Sequence, residues 1–524
     1  MNRTTKAVSV AAILLGLAGT RCTDPTVAPK STVTGVNVFN DPNSYRAFLA
    51  KIYGGLIVTG QRGPDGSPDI GLIDEGFGEY LRLYWYLQEM PTDEAVIGWN
   101  DPGLPDLNTG VWGASNSMVN AMYYRVFYQI MLVNEFLRQS TDAKLAERNQ
   151  NDPTLKTNVH SYRAEARFLR ALSYWHGTDF FGNIPLVTEA DLLGAPPPKQ
   201  ATRDSVYRYV VSELNAIKDS LPAKGAATYG RATPAAAHML LAKLYLNAGV
   251  YTGTPNYTGA LAEAQTVIGA GYTLDPSVVH NFQADNNTSP ELIFVAPQDG
   301  NNTQTWGGMT FLIHAGCGGQ MSAANYGIDY CWGGYRLKQQ AYNRFAAGDG
   351  RAAFFFKTGQ QVNVDTIGQF SNGIAAPKFT NKTSSGANGA QSGMVDTDFP
   401  IFRLADAMLI YAEANLRGGG GTLAQAEAYV DSLRVRAFGN ASGNIPAGTL
   451  TLDTLLAERG RELLFEAQRR TDLVRFGVFS GGTYLWAWKG GIKGGAALGT
   501  GRDLYPLPAN ELIANPNLQQ NPGY

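Results

Sequence analysis

The chain has 524 residues, which by length alone predicts two to four domains. Only 16% of the residues are charged, the formal net charge is −2, and no block of five or six like charges occurs, so the chain lacks the basic surface that nucleic-acid binding requires. Its 60 glycines and its aromatic content of 11% are instead typical of exported proteins that bind neutral polar ligands.

Residues 1–22 have the pattern of an export signal. Arg3 and Lys6 precede an uncharged, largely apolar run at 7–20, which is too short to span a bilayer. No later stretch approaches about twenty apolar residues, so no transmembrane helix is expected in the mature chain. Thr20 and Arg21 separate Cys22 from a Leu-Ala-Gly sequence, and Cys22 is either a lipid attachment site or the incidental thiol of a secreted protein.

Apolar residues at helical spacing predict three helices in the first part of the chain, at 43–53, 117–138 and 160–181. Residues 60–113 are rich in Gly, Asp, Pro and Trp, and are predicted to be loop. The third helix ends before Gly182, after which the chain is predicted to be extended.

Helical hairpins are predicted to follow. The order of Leu, Ala, Tyr and Gly in 235–251, continued by small residues in 260–267, resembles a tetratricopeptide repeat, in which small residues let two helices approach closely. A second copy is predicted at 404–437 and a single long helix at 452–476. A short helix at 510–514 precedes a tail that ends in turns, because Asn-Pro pairs disfavour helix.

A long segment, residues 275–400, is rich in Gly, Asn and Ser and has little helical period. More than a hundred irregular residues are too many for an ordinary loop. We interpret this segment as an excursion that lies over the helices, with short strands such as 291–296. A smaller Gly-rich excursion is predicted at 479–503.

The densest charge cluster lies within 458–475. Glu458 and Glu462 fall on one face of the predicted helix, as paired carboxylates of a glycoside hydrolase could, and Glu462 and Glu466 are the candidate carboxylates of a glycan hydrolase. Arginines three or four residues away would keep these carboxylates ionised, which favours a structural ion-pair network over acid catalysis. The usual nucleophile, phosphate-binding and metalloprotease motifs are missing, so the sequence predicts no enzyme and no cofactor.

The cysteines Cys317 and Cys331 are either a disulfide that closes a loop of about fifteen residues or two buried thiols. His314 is the only histidine near them, and no second Cys pair follows. The sequence therefore predicts no metal site.

Aromatic residues in the Gly/Asn/Asp-rich segments are candidates for ligand binding. A sugar needs flat aromatic faces beside amide and carboxylate groups, and peptide sites use the same residue types. The predicted ligand-binding residues are Trp99, Asn100, Trp112, Trp306, Tyr326, Tyr330, Trp332 and Tyr335. Because they fall in 60–113 and 275–400, we expect these two segments to meet in one shallow cleft. Bracing of long loops is the alternative role for any one of these residues.

Several blocks in this order resemble the RagB/SusD family of outer-membrane nutrient-binding lipoproteins. They are E-A-R-F-L-R-A-x-x-Y-W…F-F-G-N-I-P-L-V at 165–187, the repeats at 230–249 and 403–437, E-R-x-R-E-L-x-F-E-x-x-R-x-x-D-L-x-R at 458–475, and the tail at 506–524. The resemblance implies a mostly α solenoid of about four tetratricopeptide-like hairpins with an irregular ligand-facing half. It also implies one SusD-like domain at 23–524 behind the signal.

The same resemblance implies a function. A lipid-anchored protein on the cell surface, tethered to the outer membrane through Cys22, would capture oligosaccharides or peptides and pass them to a SusC-like TonB-dependent transporter. Two other functions stay open: an envelope glycan hydrolase, and a scaffold that binds only protein partners.

We predict that Cys22 is the first residue of the mature protein and carries lipid. Cys22→Ala should move the protein from the membrane fraction to the soluble fraction, because the acyl chains supply the anchoring energy. Fractionation and mass analysis of the N-terminus test this, with Thr26→Ala as the control that stays on the membrane. A wild-type protein that is soluble and begins elsewhere would contradict the prediction.

Overall fold

The computed structural model describes residues 38–524 except 65, 72, 192 and 193. The chain divides into two compact units, residues 1–44 and residues 45–524. In the first unit the described residues 39–43 form turns. The predicted export signal and Cys22 lie outside the described residues.

Helices dominate the described chain. The α-helices are α1 Ser44–Gly54, α2 Tyr80–Glu89, α3 Leu104–Thr109, α4 Ser117–Gln139, α5 Asp142–Glu147, α6 Pro153–Phe181, α7 Arg203–Ile217, α8 Pro234–Leu246, α9 Ala248–Thr252, α10 Tyr257–Ile268, α11 Gly308–Gly316, α12 Gln339–Tyr342, α13 Leu404–Leu416, α14 Leu423–Phe438, α15 Leu452–Glu462, α16 Arg469–Arg475 and α17 Ala509–Ala514. None of these helices combines the length and the apolar character that a membrane crossing requires.

The strands are few and short. They are β1 Ala95–Ile97, β2 Ile184–Pro185, β3 Gln200–Ala201, β4 Leu292–Ala296, β5 Tyr335–Leu337 and β6 Phe399–Arg403. They form three two-stranded antiparallel sheets, β1 with β5, β2 with β3, and β4 with β6. The mostly α fold predicted from the sequence is confirmed.

The long helices pack in succession as a solenoid. Helix α4 packs on α6, α6 on α7, α8 on α10, α10 on α13, and α13 on α14. Small residues on α8 and α10, among them Ala236, Ala242, Ala260 and Ala264, are completely buried. Without long side chains between them the helices come close together, as the repeat pattern predicted.

The prediction that residues 60–113 are loop is wrong, because this stretch contains α2, β1 and α3. All ten residues of α2 (YLRLYWYLQE) are buried. A helix that is buried on every side has no polar face, so its sequence shows no alternation of polar and apolar residues. The sequence pattern therefore gave no helical period to detect.

The prediction of one helix over 452–476 is also wrong, because the chain breaks between α15 and α16. Phe465 and Ala467 have φ angles of 62° and 56°, which side chains other than glycine rarely adopt. Polar groups from elsewhere replace the lost helical hydrogen bonds: Trp85 Nε1 donates to the carbonyl of Phe465 at 3.1 Å and Lys378 Nζ to that of Leu464 at 2.7 Å. These tertiary hydrogen bonds thus compensate for the strained backbone.

The break orients two carboxylates toward one buried arginine. Arg403, the last residue of β6, donates from Nε and Nη2 to the two oxygens of Glu466, at 2.6 and 2.8 Å. Its Nη1 donates to Glu462 at 2.7 Å and to Glu291 at 2.8 Å, and its Nη2 also donates to the Glu462 carbonyl at 2.6 Å. All five N–H donors of this guanidinium are therefore satisfied.

The excursion is anchored by this arginine and by β4 and β6, which pair close to its two ends. It is not wholly irregular, since it contains α11, whose residues are all buried. Arg351, from a 3₁₀ turn of the excursion, donates to Glu458 at 2.7 Å and to Glu462 at 2.9 Å. Buried ion pairs thus join the excursion to the C-terminal helices.

Glu462 is 1% exposed, and the surrounding arginines determine the direction in which its pKa shifts. Burial alone would raise the pKa, but the guanidinium groups of Arg436, Arg403 and Arg351 outweigh burial and bring it well below the usual value. A carboxylate whose pKa is depressed in the folded state stabilises the protein above the unfolded pKa of about 4.3. That stabilisation is lost as the pH falls toward the folded pKa.

We predict that Glu462→Gln lowers the free energy of unfolding by about 3–5 kcal/mol at neutral pH, because it leaves buried guanidinium groups without a counter-charge. Its stability should also fall less steeply than that of the wild type below about pH 4.3. Urea unfolding at several pH values measures both effects. The control Asp204→Asn, in an exposed pair with Arg208, should change stability by less than about 0.5 kcal/mol. Equal stability of Glu462→Gln and wild type would contradict the prediction.

Candidate functional site

Four aromatic residues from the two predicted segments meet in space and form what we call the aromatic cluster: Trp99, Trp306, Tyr330 and Trp332. The ring centres of Trp99, Trp306 and Tyr330 lie 6.4, 6.3 and 6.3 Å from that of Trp332. The three tryptophans are partly exposed and Tyr330 is 54% exposed. The expected meeting of 60–113 with 275–400 therefore occurs at these rings.

The pairing of β1 with β5 brings Trp99 to the cluster. Ile97 lies opposite Tyr335 in this sheet, so the chain that leaves β1 passes directly beside residues 332–334. A Cβ at Gly334 would lie 2.9 Å from Cζ2 of Trp99, which is closer than real Cβ contacts. Glycine at this position lets the indole pack against the neighbouring backbone.

The end of α11 positions Trp332. The backbone N–H groups of Trp332, Gly333 and Gly334 donate to the carbonyls of His314, Cys317 and Ala315 at 2.8–2.9 Å. Carbonyls at the C-terminal end of a helix run short of helical N–H donors, and the strand-like segment 332–334 supplies donors to them here. A disulfide joins Cys317 to Cys331 and closes the loop that carries Tyr330.

A shared carboxylate positions Trp306. Glu79 accepts from the backbone N–H groups of Leu81 and Arg82 at the start of α2, at 2.9 and 2.7 Å, and from Gly308 N at the start of α11, at 2.7 Å. Because anions are favoured at helix N-termini, one buried carboxylate stabilises both helices. Arg82 then donates from Nη1 to the Trp306 carbonyl at 3.1 Å.

Polar groups border the rings. The imidazole of His314 lies 4.8 Å from the Trp332 ring, and its Nδ1 donates to the Thr310 carbonyl at 2.9 Å. Burial lowers the pKa of His314, although the Thr310 carbonyl and Asp329 oppose the shift. The Asp329 carboxylate is 41% exposed and accepts from Tyr330 N at 2.8 Å. The site therefore offers a carboxylate acceptor beside its aromatic faces.

The other predicted site residues are placed differently. Tyr335 is completely buried and donates to the Leu312 carbonyl at 2.7 Å, and Trp112 is 2% exposed and donates to Tyr524 Oη at 2.6 Å. Neither can contact a ligand at the surface, so their assignment to the cleft is wrong. Tyr326 accepts from Asn381 N through its carbonyl and has no ring contact with the cluster in the described chain. Asn100 is exposed beside Trp99.

Three residues of the site were missed from the sequence: Arg82, His314 and Asp329. Arg82 lies on the fully buried α2 and His314 on the fully buried α11, so neither helix showed a period that marked a face. Asp329 directly precedes Tyr330 in a loop, and this adjacency to a predicted site residue was the only sequence feature that could have indicated its role.

The candidate hydrolase carboxylates are not arranged for catalysis. Glu462 and Glu466 are both buried and both bonded to Arg403. Neither lies at the aromatic cluster in the described structure. No group of three potential metal ligands occurs among residues whose placement is described.

Comparison with known proteins identifies relatives over most of the chain. A family model described as the SusD family matches residues 355–524, and one described as "Starch-binding associating with outer membrane" matches residues 104–246. The starch-binding protein SusD of Bacteroides thetaiotaomicron is 34% identical over 528 residues, covering 91% of each chain. A SusD-like protein P2 of Formosa agariphila is 28% identical and covers 80% of this chain and 83% of its own.

A solved structure has the same fold. The surface glycan-binding protein A of Bacteroides thetaiotaomicron, in complex with laminarihexaose, superposes with a TM-score of 0.69 at 20% identity. The match covers 91% of this chain and 98% of that protein.

We predict that the exported protein contains the Cys317–Cys331 disulfide and that it stabilises the loop of the aromatic cluster. A non-reduced digest should contain the linked peptides, and reduction should separate them. Cys317→Ala/Cys331→Ala should unfold with a free energy lower by about 3 kcal/mol, the chain-entropy value for a loop of this size. Two freely alkylatable thiols in the native protein would contradict the prediction.

Proposed function

The chain belongs to the SusD family, and we propose that it binds a starch-like α-glucan at the aromatic cluster on the cell surface and delivers it to an outer-membrane transporter. The observation that carries this proposal is the set of partly exposed indole rings around Trp332. A relative with 34% identity over most of both chains is named for starch binding, which supports the choice of glucan.

The chemistry of the cluster suits a sugar. A pyranose ring has an apolar C–H face, which stacks on an indole, and hydroxyl groups at its edge. In this site the faces belong to Trp99, Trp306 and Trp332, the Asp329 carboxylate lies beside Tyr330, and the exposed Asn100 follows Trp99 in the chain. These polar groups would accept and donate hydrogen bonds to the hydroxyls.

The tilt of the rings favours a curved chain. The planes of Trp99, Trp306 and Tyr330 are rotated by 44°, 52° and 42° from the plane of Trp332. A flat, ribbon-like glycan would stack on one of these rings and leave the others. A helical α-1,4-glucan turns its successive sugar rings, so several of them can stack at once.

The proposed function is binding without catalysis. Glycan hydrolysis requires a carboxylic acid whose pKa is raised, next to a second carboxylate at the scissile bond. The exposed carboxylate of Asp329 lies near the cluster, whereas the carboxylate of Glu462, whose pKa is depressed, lies within the buried network. This arrangement supports capture of a polymer rather than its cleavage.

The location and the partner complete the proposal. Residues 1–22 would direct export, Cys22 would carry the lipid anchor, and residues 23–524 would form one SusD-like domain at the outer membrane. A SusC-like TonB-dependent transporter is the proposed receiver of the glucan. Co-purification of such a β-barrel with the tagged wild-type protein tests this part separately from glucan binding.

We predict that Trp332→Ala and Trp306→Ala each weaken maltoheptaose binding about tenfold, since one stacked ring contributes roughly 1–2 kcal/mol. The melting temperature should change little because both rings are partly exposed. Isothermal titration calorimetry and thermal unfolding measure the two effects. Wild-type protein should also retard amylose in a gel without shortening it.

Tyr429→Ala is the matched control, because Tyr429 is a partly exposed aromatic on α14, outside the cluster. It should leave maltoheptaose affinity unchanged. A large loss of stability with unchanged affinity in the tryptophan variants would show that these rings only brace the loops. Tighter binding of cellohexaose than of maltoheptaose would contradict the curved-chain argument.

A further inference from the structure

A second concave surface is lined in part by residues 301–304, from the loop that carries Trp306. It is a cavity of about 1020 Å³, bounded by α1, the turn at 60–63 and residues 227–231 and 297–304. A Cβ at Gly63 would lie 2.1 Å from the Gln304 carbonyl oxygen, so glycine is required for the turn to pack on this loop. No residue of the aromatic cluster lines the cavity in the described structure, which makes it a separate site.

The cavity has a cationic lining. Arg46, Lys51 and Arg231 line it, whereas no aspartate or glutamate is found among the lining residues of the described chain. The carboxylates that pair with two of these cations are more deeply buried than the cations. Lys51 Nζ contacts Asp69 at 2.7 Å, and Arg231 Nη2 contacts the fully buried Glu165 at 2.5 Å.

Arg46 differs from these two cations in its surroundings. It is exposed, and within the described residues no carboxylate lies within 4.0 Å of its guanidinium. A ligand that carries an anionic group would therefore meet an uncompensated charge here. Guanidinium groups form their strongest hydrogen bonds with oxyanions such as carboxylate and sulfate.

One wall of the cavity is held rigidly. Tyr53 Oη donates to Glu165 at 2.8 Å and accepts from Ala232 N at 2.9 Å, while Arg231 Nε donates to the same carboxylate at 2.9 Å. The Arg231 guanidinium also lies 5.9 Å from the ring of Tyr162. Its Nη1 donates to no acceptor in the described part of the chain. Charge and aromatic surface are thus fixed before a ligand arrives, which reduces the entropy cost of binding.

The opposite wall carries amides. Gln61, Asn301 and Asn302 are exposed at the cavity, and Gln304 is partly exposed. Amide groups both donate and accept hydrogen bonds, as hydroxyl groups of a sugar require. Aromatic faces, amides and cations in one cavity of this volume match an oligosaccharide that bears anionic groups better than they match a small inorganic ion.

We propose that this cavity is a second ligand site, which takes an anionic oligosaccharide, with carboxylate groups as in a uronate or with sulfate esters. The site does not depend on the function proposed for the aromatic cluster. The charged group would contact Arg46 and Arg231, and a sugar ring would stack on Tyr162.

The test uses the full chain and two variants, Arg46→Gln and Tyr162→Ala. Arg46 is exposed and makes no ion pair with the described residues, so its replacement should not disturb folding. The probes are a galacturonate hexamer, its neutral methyl ester and a carrageenan hexasaccharide. Wild type should bind at least one anionic probe about tenfold more tightly than the methyl ester, and binding should weaken as salt concentration rises.

Each variant should weaken binding of that anionic probe about fivefold to tenfold, in the range of one charge-assisted hydrogen bond or one stacked ring. Arg208→Gln, which replaces an exposed arginine of α7 that does not line the cavity, is the matched control and should bind like wild type. Trp332→Ala should bind the anionic probe like wild type, while its affinity for maltoheptaose falls about tenfold. Binding of the galacturonate hexamer would indicate a uronate ligand, and binding of the carrageenan hexasaccharide would indicate a sulfate ester.

Three results would overturn the proposal: neither anionic probe binds, binding is lost in Trp332→Ala but kept in Arg46→Gln, or inorganic sulfate binds as tightly as the oligosaccharide. Failure of maltoheptaose to bind, together with Arg46-dependent binding of an anionic probe, would refute the glucan function alone. The two proposals therefore fail separately.

Discussion

The guanidinium of Arg403 satisfies all five of its donors with groups from two distant parts of the sequence. Glu291 precedes β4, Glu462 ends α15, and Glu466 lies in the break before α16. Taking these charges out of water is expensive, and a well-packed apolar core of the same volume would often be at least as stable. The main effect of such a buried network is on the arrangement of the elements it joins. Any other register of β4, β6 and the C-terminal helices would leave a buried charge unpaired, so the network fixes where these elements meet.

That geometry determines where the excursion begins and ends, and therefore where its loops lie. From β4 the chain continues through residues 299–306 into α11, and the end of α11 positions Trp332. The remaining precision comes from close approaches that only glycine allows, at Gly63 against Gln304 and at Gly334 against Trp99. Rigid attachment of irregular chain to a helical scaffold explains how so little regular structure can hold aromatic rings in fixed positions.

Sequence reasoning succeeded where a helix has one buried and one exposed face. The helix predicted at 117–138 is α4, Ser117–Gln139, and its apolar residues recur on the buried side. It failed for α2 and α11, which are buried all round and show no period, and at Phe465, where tertiary contacts impose a backbone angle that local propensity disfavours. The mostly α class followed from periodic segments, whereas the internal architecture of the excursion did not.

Prediction of the site from the sequence was limited in the same way at the level of single residues. Trp332 and Tyr335 are three positions apart in one Gly-rich stretch and have similar local sequence, yet one is partly exposed and the other completely buried. The difference arises because Tyr335 belongs to β5, whose partner β1 is about 240 residues earlier in the chain. Composition could place aromatic residues in the correct segments, but only the long-range pairing decides which of them face solvent.

The exposure of the cluster also bears on how a captured glycan could be released. Rings that stay partly in water desolvate little on stacking, so each contributes roughly 1–2 kcal/mol, and a few such contacts give modest affinity after the cost of association is subtracted. Differences in affinity among related complexes are mostly differences in dissociation rate, so a weakly held glycan leaves quickly. A deep pocket that enclosed the sugar would bind more tightly and release more slowly. A rigid, partly exposed cluster therefore suits the capture and transfer proposed above, since the rigidity favours association and the exposure permits departure.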